Sequence, residues 1–126
     1  MDYSNLKKRF LDFALAVHEL TKEFPKEDVY INIKNQITRC SSSSGANYRA
    51  ASRGKSPSDF INKLKMVEEE LDESLYWLQY LNGVDKKWIL LSSNLIKEGN
   101  ELLSIIVASL KTARKNQESP LKYKMK

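Results

Sequence analysis

The sequence predicts an all-α protein, an up-down-up-down antiparallel four-helix bundle, and three observations predict it. Large apolar residues recur at alternating spacings of four and three, the mark of a helix with one buried stripe. Pro25, Gly54 and Asn82-Gly83 punctuate that pattern at intervals of about one long helix. No segment alternates with the period of two that a half-buried strand shows. Short connections then place consecutive helices side by side and antiparallel. At 126 residues the chain is long enough for one domain with a real core. The bundle is expected over residues 1–115, with a basic, disordered tail over residues 116–126.

The first helix rests on Leu6, Phe10, Phe13, Val17, Leu20 and Phe24, an unbroken heptad seam. Pro25 stops it, because the ring cannot continue a helix and restricts the residue before it. The first helix is therefore expected over residues 3–23. His18, on the flank of the seam, reads as a boundary side chain and not as a ligand.

Pro25 suits the first turn of the second helix, with Glu27 and Asp28 near its positive end. Its seam, Ile33, Ile37, Cys40, Ser44, Asn47 and Ala51, keeps heptad register while its chemistry changes from aliphatic to small and polar. Gly45 costs about 1 kcal/mol of helix propensity relative to alanine, so packing must hold this stretch helical. A buried Asn47 would need hydrogen-bond partners. Gly54 and Lys55 end the element.

Ser56, Pro57 and Asp59 form a start signal for the third helix: a capping hydroxyl, a proline at the first position and an acid in the first turn. Phe60, Leu64, Val67, Leu71, Ser74, Leu78 and Leu81 form its seam. Tyr76, Trp77 and Tyr80 add large surfaces beyond that seam. Asn82-Gly83 is the expected stop. Asp85 can cap a fourth helix bearing Trp88, Leu91, Leu95, Leu102, Ile105, Ile106 and Leu110, with Gly99 as a close-approach position. Its pattern fades after Ala113.

No apolar run approaches the roughly 18 residues that span a bilayer, so no membrane role is expected. The single cysteine, Cys40, permits no internal disulfide and suits a reducing cytoplasm. The acidic run Glu68, Glu69, Glu70, Asp72 and Glu73 invites a di-metal site, but such sites in bundles need Glu-x-x-His on two helices. One histidine cannot supply them, and most of these acids lie off the seam. Neither a phosphate-binding glycine loop nor a nucleophile with its base is encoded. No catalytic residue, cofactor or metal is expected.

The net charge is +5, and its distribution is uneven. Residues 1–56 hold ten Lys or Arg against six acids, residues 57–110 five against nine, and residues 111–126 six against one. Basic segments attract nucleic acid or acidic partners through a salt-sensitive field. Lys7, Lys8, Arg9, Arg39, Arg49, Arg53 and Lys55 are the candidate contacts to RNA or DNA. The small stretch has two readings: close helix packing with hydroxyls bonded back to the helix, or a polar groove for an anion.

The run Ser43, Gly45, Ala46, Asn47, Tyr48, Arg49, followed by Ser56, Asp59, Phe60, Lys63, Glu73, Ser74, Tyr76, Trp77 and Leu78, resembles the bacterial four-helix bundle proteins of the 23S rRNA intervening-sequence family. The likeness covers about residues 5–112. It implies an up-down bundle, commonly assembled as a ring-shaped homopentamer, with Ser44, Gly45, Ala46, Asn47, Tyr48, Asp59, Phe60, Ser74 and Trp77 as its structural signature. The family includes the accessory protein of diversity-generating retroelements, a basic barrel that binds nucleic acid and a reverse transcriptase. Most members have no assigned activity. Ala50 stands where many members carry a glutamate.

These readings lead to one expectation: a non-enzymatic homo-oligomeric bundle that binds nucleic acid through a basic surface. The alternative is an oligomeric scaffold for another protein.

Overall fold

The computed structural model describes residues 5–118. Among them are four helices: α1 (Leu6–Thr21), α2 (Asp28–Ala51), α3 (Pro57–Val84) and α4 (Trp88–Gln117). Each helix packs against its neighbours in sequence, α4 closes on α1, and among the described residues neither diagonal pair brings its backbones together. Phe10, early in α1, meets Gly45 and stacks on Tyr48, late in α2. Asn82, late in α3, accepts from Ser92, early in α4. Gln117, at the end of α4, donates to Ser58, at the start of α3. These pairings have the sense that an up-down-up-down bundle requires.

Burial follows the heptad seams. Leu6, Phe10, Phe13, Val17 and Leu20 of α1 are buried, as are Ile33, Ile37, Cys40, Ser44 and Ala51 of α2. In α3 the seam from Leu64 to Leu81 is buried and Phe60 is half-buried against the core. At one end Phe24, Tyr30 and Trp88 pack ring against ring at 5.3–5.7 Å, and the Trp88 indole N–H donates to the Tyr30 hydroxyl at 3.1 Å.

The ends of the elements depart from expectation, each for a local reason. The first helix stops at Thr21, whose hydroxyl turns back to the His18 carbonyl. Pro25 lies in the connection, and α2 begins at Asp28 behind Glu27. Ser56 caps α3 as read, accepting from the Asp59 amide at 3.1 Å, with Pro57 in the first turn. Asn82-Gly83 does not stop α3, which runs to Val84 because Asn82 is tied to Ser92 and Leu81 still accepts from Asp85. Asp85 accepts from the Lys87 amide at 2.9 Å and forms the turn before α4. The α4 helix continues past Ala113 to Gln117, so residues 116 and 117 of the expected tail are helical. Residues 119–126 lie outside the described residues.

One core assignment is overturned. Leu91 is 57% exposed, whereas Ser92 beside it is fully buried and occupies the helix-facing position. The pattern of α4 thus enters the core one residue later than the leucines alone imply. Asn47 is half-buried, so its amide remains within reach of solvent.

Candidate nucleic-acid interface

The antiparallel order decides where the charges meet. It brings the start of α1, the end of α2, the start of α3 and the end of α4 to one end of the bundle. Lys7, Arg49, Arg53, Lys55, Lys111, Arg114 and Lys115 are exposed there, and among the described residues the acids nearest them in sequence are Asp12 for Lys7 and Asp59 and Glu118 for the rest. None of the seven forms an ion pair among the described residues. Arg49 and Arg53 stand one helical turn apart. Lys7 and Arg49 face each other across a shallow groove of about 300 Å³ between α1 and α2, floored by Phe10, Leu11, Ala14, Ser42, Gly45 and Ala46.

Three of the candidate cations have other duties. Arg9 is largely covered, and its guanidinium donates to both carboxylate oxygens of Glu98, at 2.6 and 3.0 Å, and reaches Glu101 at 3.1 Å. The hydrogen bonds to Glu98 hold its pKa above the usual arginine range against the opposing effect of burial. Arg39 donates to Glu73 and, at 3.3 Å, to Glu70, so it ties α2 to α3. Its pKa is likewise raised, chiefly by Glu73. Lys8 pairs with Asp12 at 2.7 Å on the exposed side of α1. Arg9 and Arg39 thus join helices, and the remaining candidates converge on the basic end.

The sequence reading missed Lys111, Arg114 and Lys115. In the sequence they contribute only to a general basic excess, because nothing local tells which other helix end lies beside the end of α4. The acidic run of α3 does not gather into a metal site. Among the described residues no three His, Cys, Asp or Glu side chains come together as ligands. Glu70 and Glu73 serve Arg39 instead.

The small stretch of α2 is helix throughout. Its hydroxyls bond back to the preceding turn: Ser41 and Ser42 to the Thr38 carbonyl, Ser44 to the Ser41 carbonyl at 2.7 Å. Ser74 of α3 meets the Cys40 sulfur at 3.2 Å and the Glu70 carbonyl at 2.8 Å. The Cys40 thiol is buried, and that burial pushes its pKa up, keeping it protonated and unreactive. Ser44 and Ser74 are therefore packing residues on facing helices, in line with the structural reading of the stretch. Tyr48 stacks on Phe10 at 4.8 Å, and burial raises its phenol pKa. On the outer side of α3, Tyr76, Trp77 and Tyr80 form a cluster with ring centres 5.2–6.2 Å apart. Tyr76 and Tyr80 are exposed.

Residues 4–108 match the family described as 23S rRNA-intervening sequence protein. No curated protein matches the chain. The chain is also similar to a crystal structure from Bacteroides thetaiotaomicron VPI-5482, a protein of unknown function from the S23 ribosomal protein family. The two are 30% identical with a TM-score of 0.75, over 83% of this chain and 97% of that one.

Proposed function

This chain belongs to the 23S rRNA-intervening sequence protein family, and from that premise we propose that it is a non-enzymatic, homo-oligomeric bundle that holds RNA or DNA by its phosphates. The observation that carries this reading is the basic end: cations from α1, α2 and α4, spread over more than 100 residues of sequence, are gathered at one end of the bundle with no ion-pair partner among the described residues. Phosphate neutralisation by such a surface needs no base-specific groove-reading element. Several copies would multiply it through avidity. Exposed Tyr76 and Tyr80, with Trp77 between them, support self-association, since clustered apolar surface of this kind marks contact sites.

The test is a gel shift and anisotropy series at rising salt with structured RNA, single strands and duplex. Affinity is expected to fall steeply, the log–log slope reflecting roughly 0.9 per neutralised phosphate on duplex DNA. Arg53→Glu with Arg114→Glu should weaken binding and flatten that slope by about 2. Absence of binding to all three at low salt overturns the proposal. The aromatic cluster also supports a second reading, a scaffold for another protein. Recovery of one protein partner in a pull-down after nuclease treatment, lost in Tyr76→Ser, would favour it.

A further inference from the structure

The misplaced Leu91 marks a second surface. It floors a groove of about 510 Å³ between α1 and α4 with Phe13, Ala16, Leu20 and Leu95, and the groove's rim is Asp12, Glu19, Glu23 and Glu98. No cation lines it. Lys8, Lys22 and Arg9 form ion pairs with three of the acids, Asp12, Glu19 and Glu98, and Arg9 is shared with Glu101. Five acids against three cations leave a net charge of −2 around the groove, with Glu23 in no ion pair among the described residues. The groove runs between the second half of α1 and the early turns of α4, where Leu20 lies beside Leu91 and Phe13 beside Gly99.

The chain itself contains a segment of matching chemistry. Residues 120–126 read Pro-Leu-Lys-Tyr-Lys-Met-Lys. In an extended chain that alternation puts Leu121, Tyr123 and Met125 on one side and three lysines on the other. An apolar floor with an acidic rim fits such a ligand on both counts. Its own groove is out of reach. From Glu118 back to Leu95 is ~35 Å of helix, and to Leu91 ~40 Å, at 1.5 Å per residue. Leu121 can lie at most ~10 Å beyond Glu118, and Met125 ~25 Å, at full extension.

We propose that the α1–α4 groove receives the segment of residues 120–126 from a second copy of the chain, its apolar side on Leu91 and Leu95 and its lysines against the acidic rim. The donor runs antiparallel to the acceptor at this contact. The exchange is then reciprocal, two tails in two grooves about a two-fold axis, a closed arrangement that joins two chains or two rings alike. The inference rests on the self-association reading above and names one of its contacts.

A fluorescein-labelled peptide of residues 117–126 tests it by anisotropy. The receptor is the full-length chain carrying Lys122→Glu, Lys124→Glu and Lys126→Glu, so that its own tail does not compete. Saturable binding is expected, weakened at least tenfold by Leu91→Asp, and likewise by Glu19→Lys with Glu23→Lys. A peptide with its three lysines reversed to glutamate should bind that second receptor and not the first. Helical circular dichroism and melting of each variant verify that the bundle is intact, and the charge-swapped pair reports recognition independently of Leu91. No binding, or binding indifferent to both receptor changes, overturns the proposal. If that occurs while the unaltered chain still sediments as an oligomer, only this contact falls. A monomer at micromolar concentration overturns self-association with it.

Discussion

At Gly99 a methyl group would sit 2.9 Å from a Leu75 methyl and 3.3 Å from the Phe13 ring, both buried, so the Leu75 side chain would have to shift to admit it. At Gly45 the nearest atom would be the Phe10 Cβ at 3.4 Å, an ordinary contact. The two glycines therefore answer the same substitution differently. Gly45→Ala should stabilise by about 0.5–1 kcal/mol, the helix-propensity gain with little opposing strain. Gly99→Ala gains the same propensity but overpacks a filled core, which costs about 1–3 kcal/mol, so its melting temperature should fall relative to Gly45→Ala. Urea titrations of the two variants decide it. Cys40 gives a second residue-scale expectation. Burial raises its pKa from 9.0, so above that pH the unfolded chain loses a proton that the folded chain retains. The unfolded state is then favoured, and stability falls as pH rises past about 9. Alkylation at pH 8 should be slow in the native protein and immediate in denaturant. Cys40→Ala should remove this alkaline component from the pH profile.

Among the elements, α1 depends most on a single polar junction. Its contact with α4 is the thinner of its two helix contacts, and Arg9 bridges it to Glu98 and Glu101. A hydrogen-bonded, partly covered guanidinium contributes about 1.5–3 kcal/mol, and less where water reaches the carboxylates. Arg9→Met should keep the packing of the stem, lose roughly 1–2 kcal/mol, and lower hydrogen-exchange protection in α1 more than in α2 or α3. Uniform loss across all four helices would contradict a junction specific to α1. The α2–α3 pair has a larger interface, secured by Cys40 against Ser74 and by Arg39 with Glu70 and Glu73. Arg39→Ala acts on exposed pairs and should cost under about 1 kcal/mol.

For the whole molecule, exposed Tyr76 and Tyr80 lead to the expectation that Tyr76→Ser with Tyr80→Ser shifts light scattering toward the monomer without changing the far-ultraviolet spectrum. An unchanged mass would separate that cluster from assembly. By itself the sequence determined the class of fold and most of the core. A heptad seam such as Leu6–Phe10–Phe13–Val17–Leu20 has one geometry that buries it, and the Ser56-Pro57 start is a purely local hydrogen-bond device. It left open everything that depends on which distant residue arrives opposite. Leu91 reads as core because apolar identity alone does not reveal that Ser92 beside it takes the helix-facing position. Arg9 and Arg39 looked like the other cations until helix pairing set carboxylates before them. Lys111, Arg114 and Lys115 joined Arg49 and Arg53 only when the antiparallel order folded the end of α4 back beside the start of α3. Periodicity acts over a few turns and is written in the chain, whereas partners and charge clusters are relations between helices, and only tertiary structure makes them.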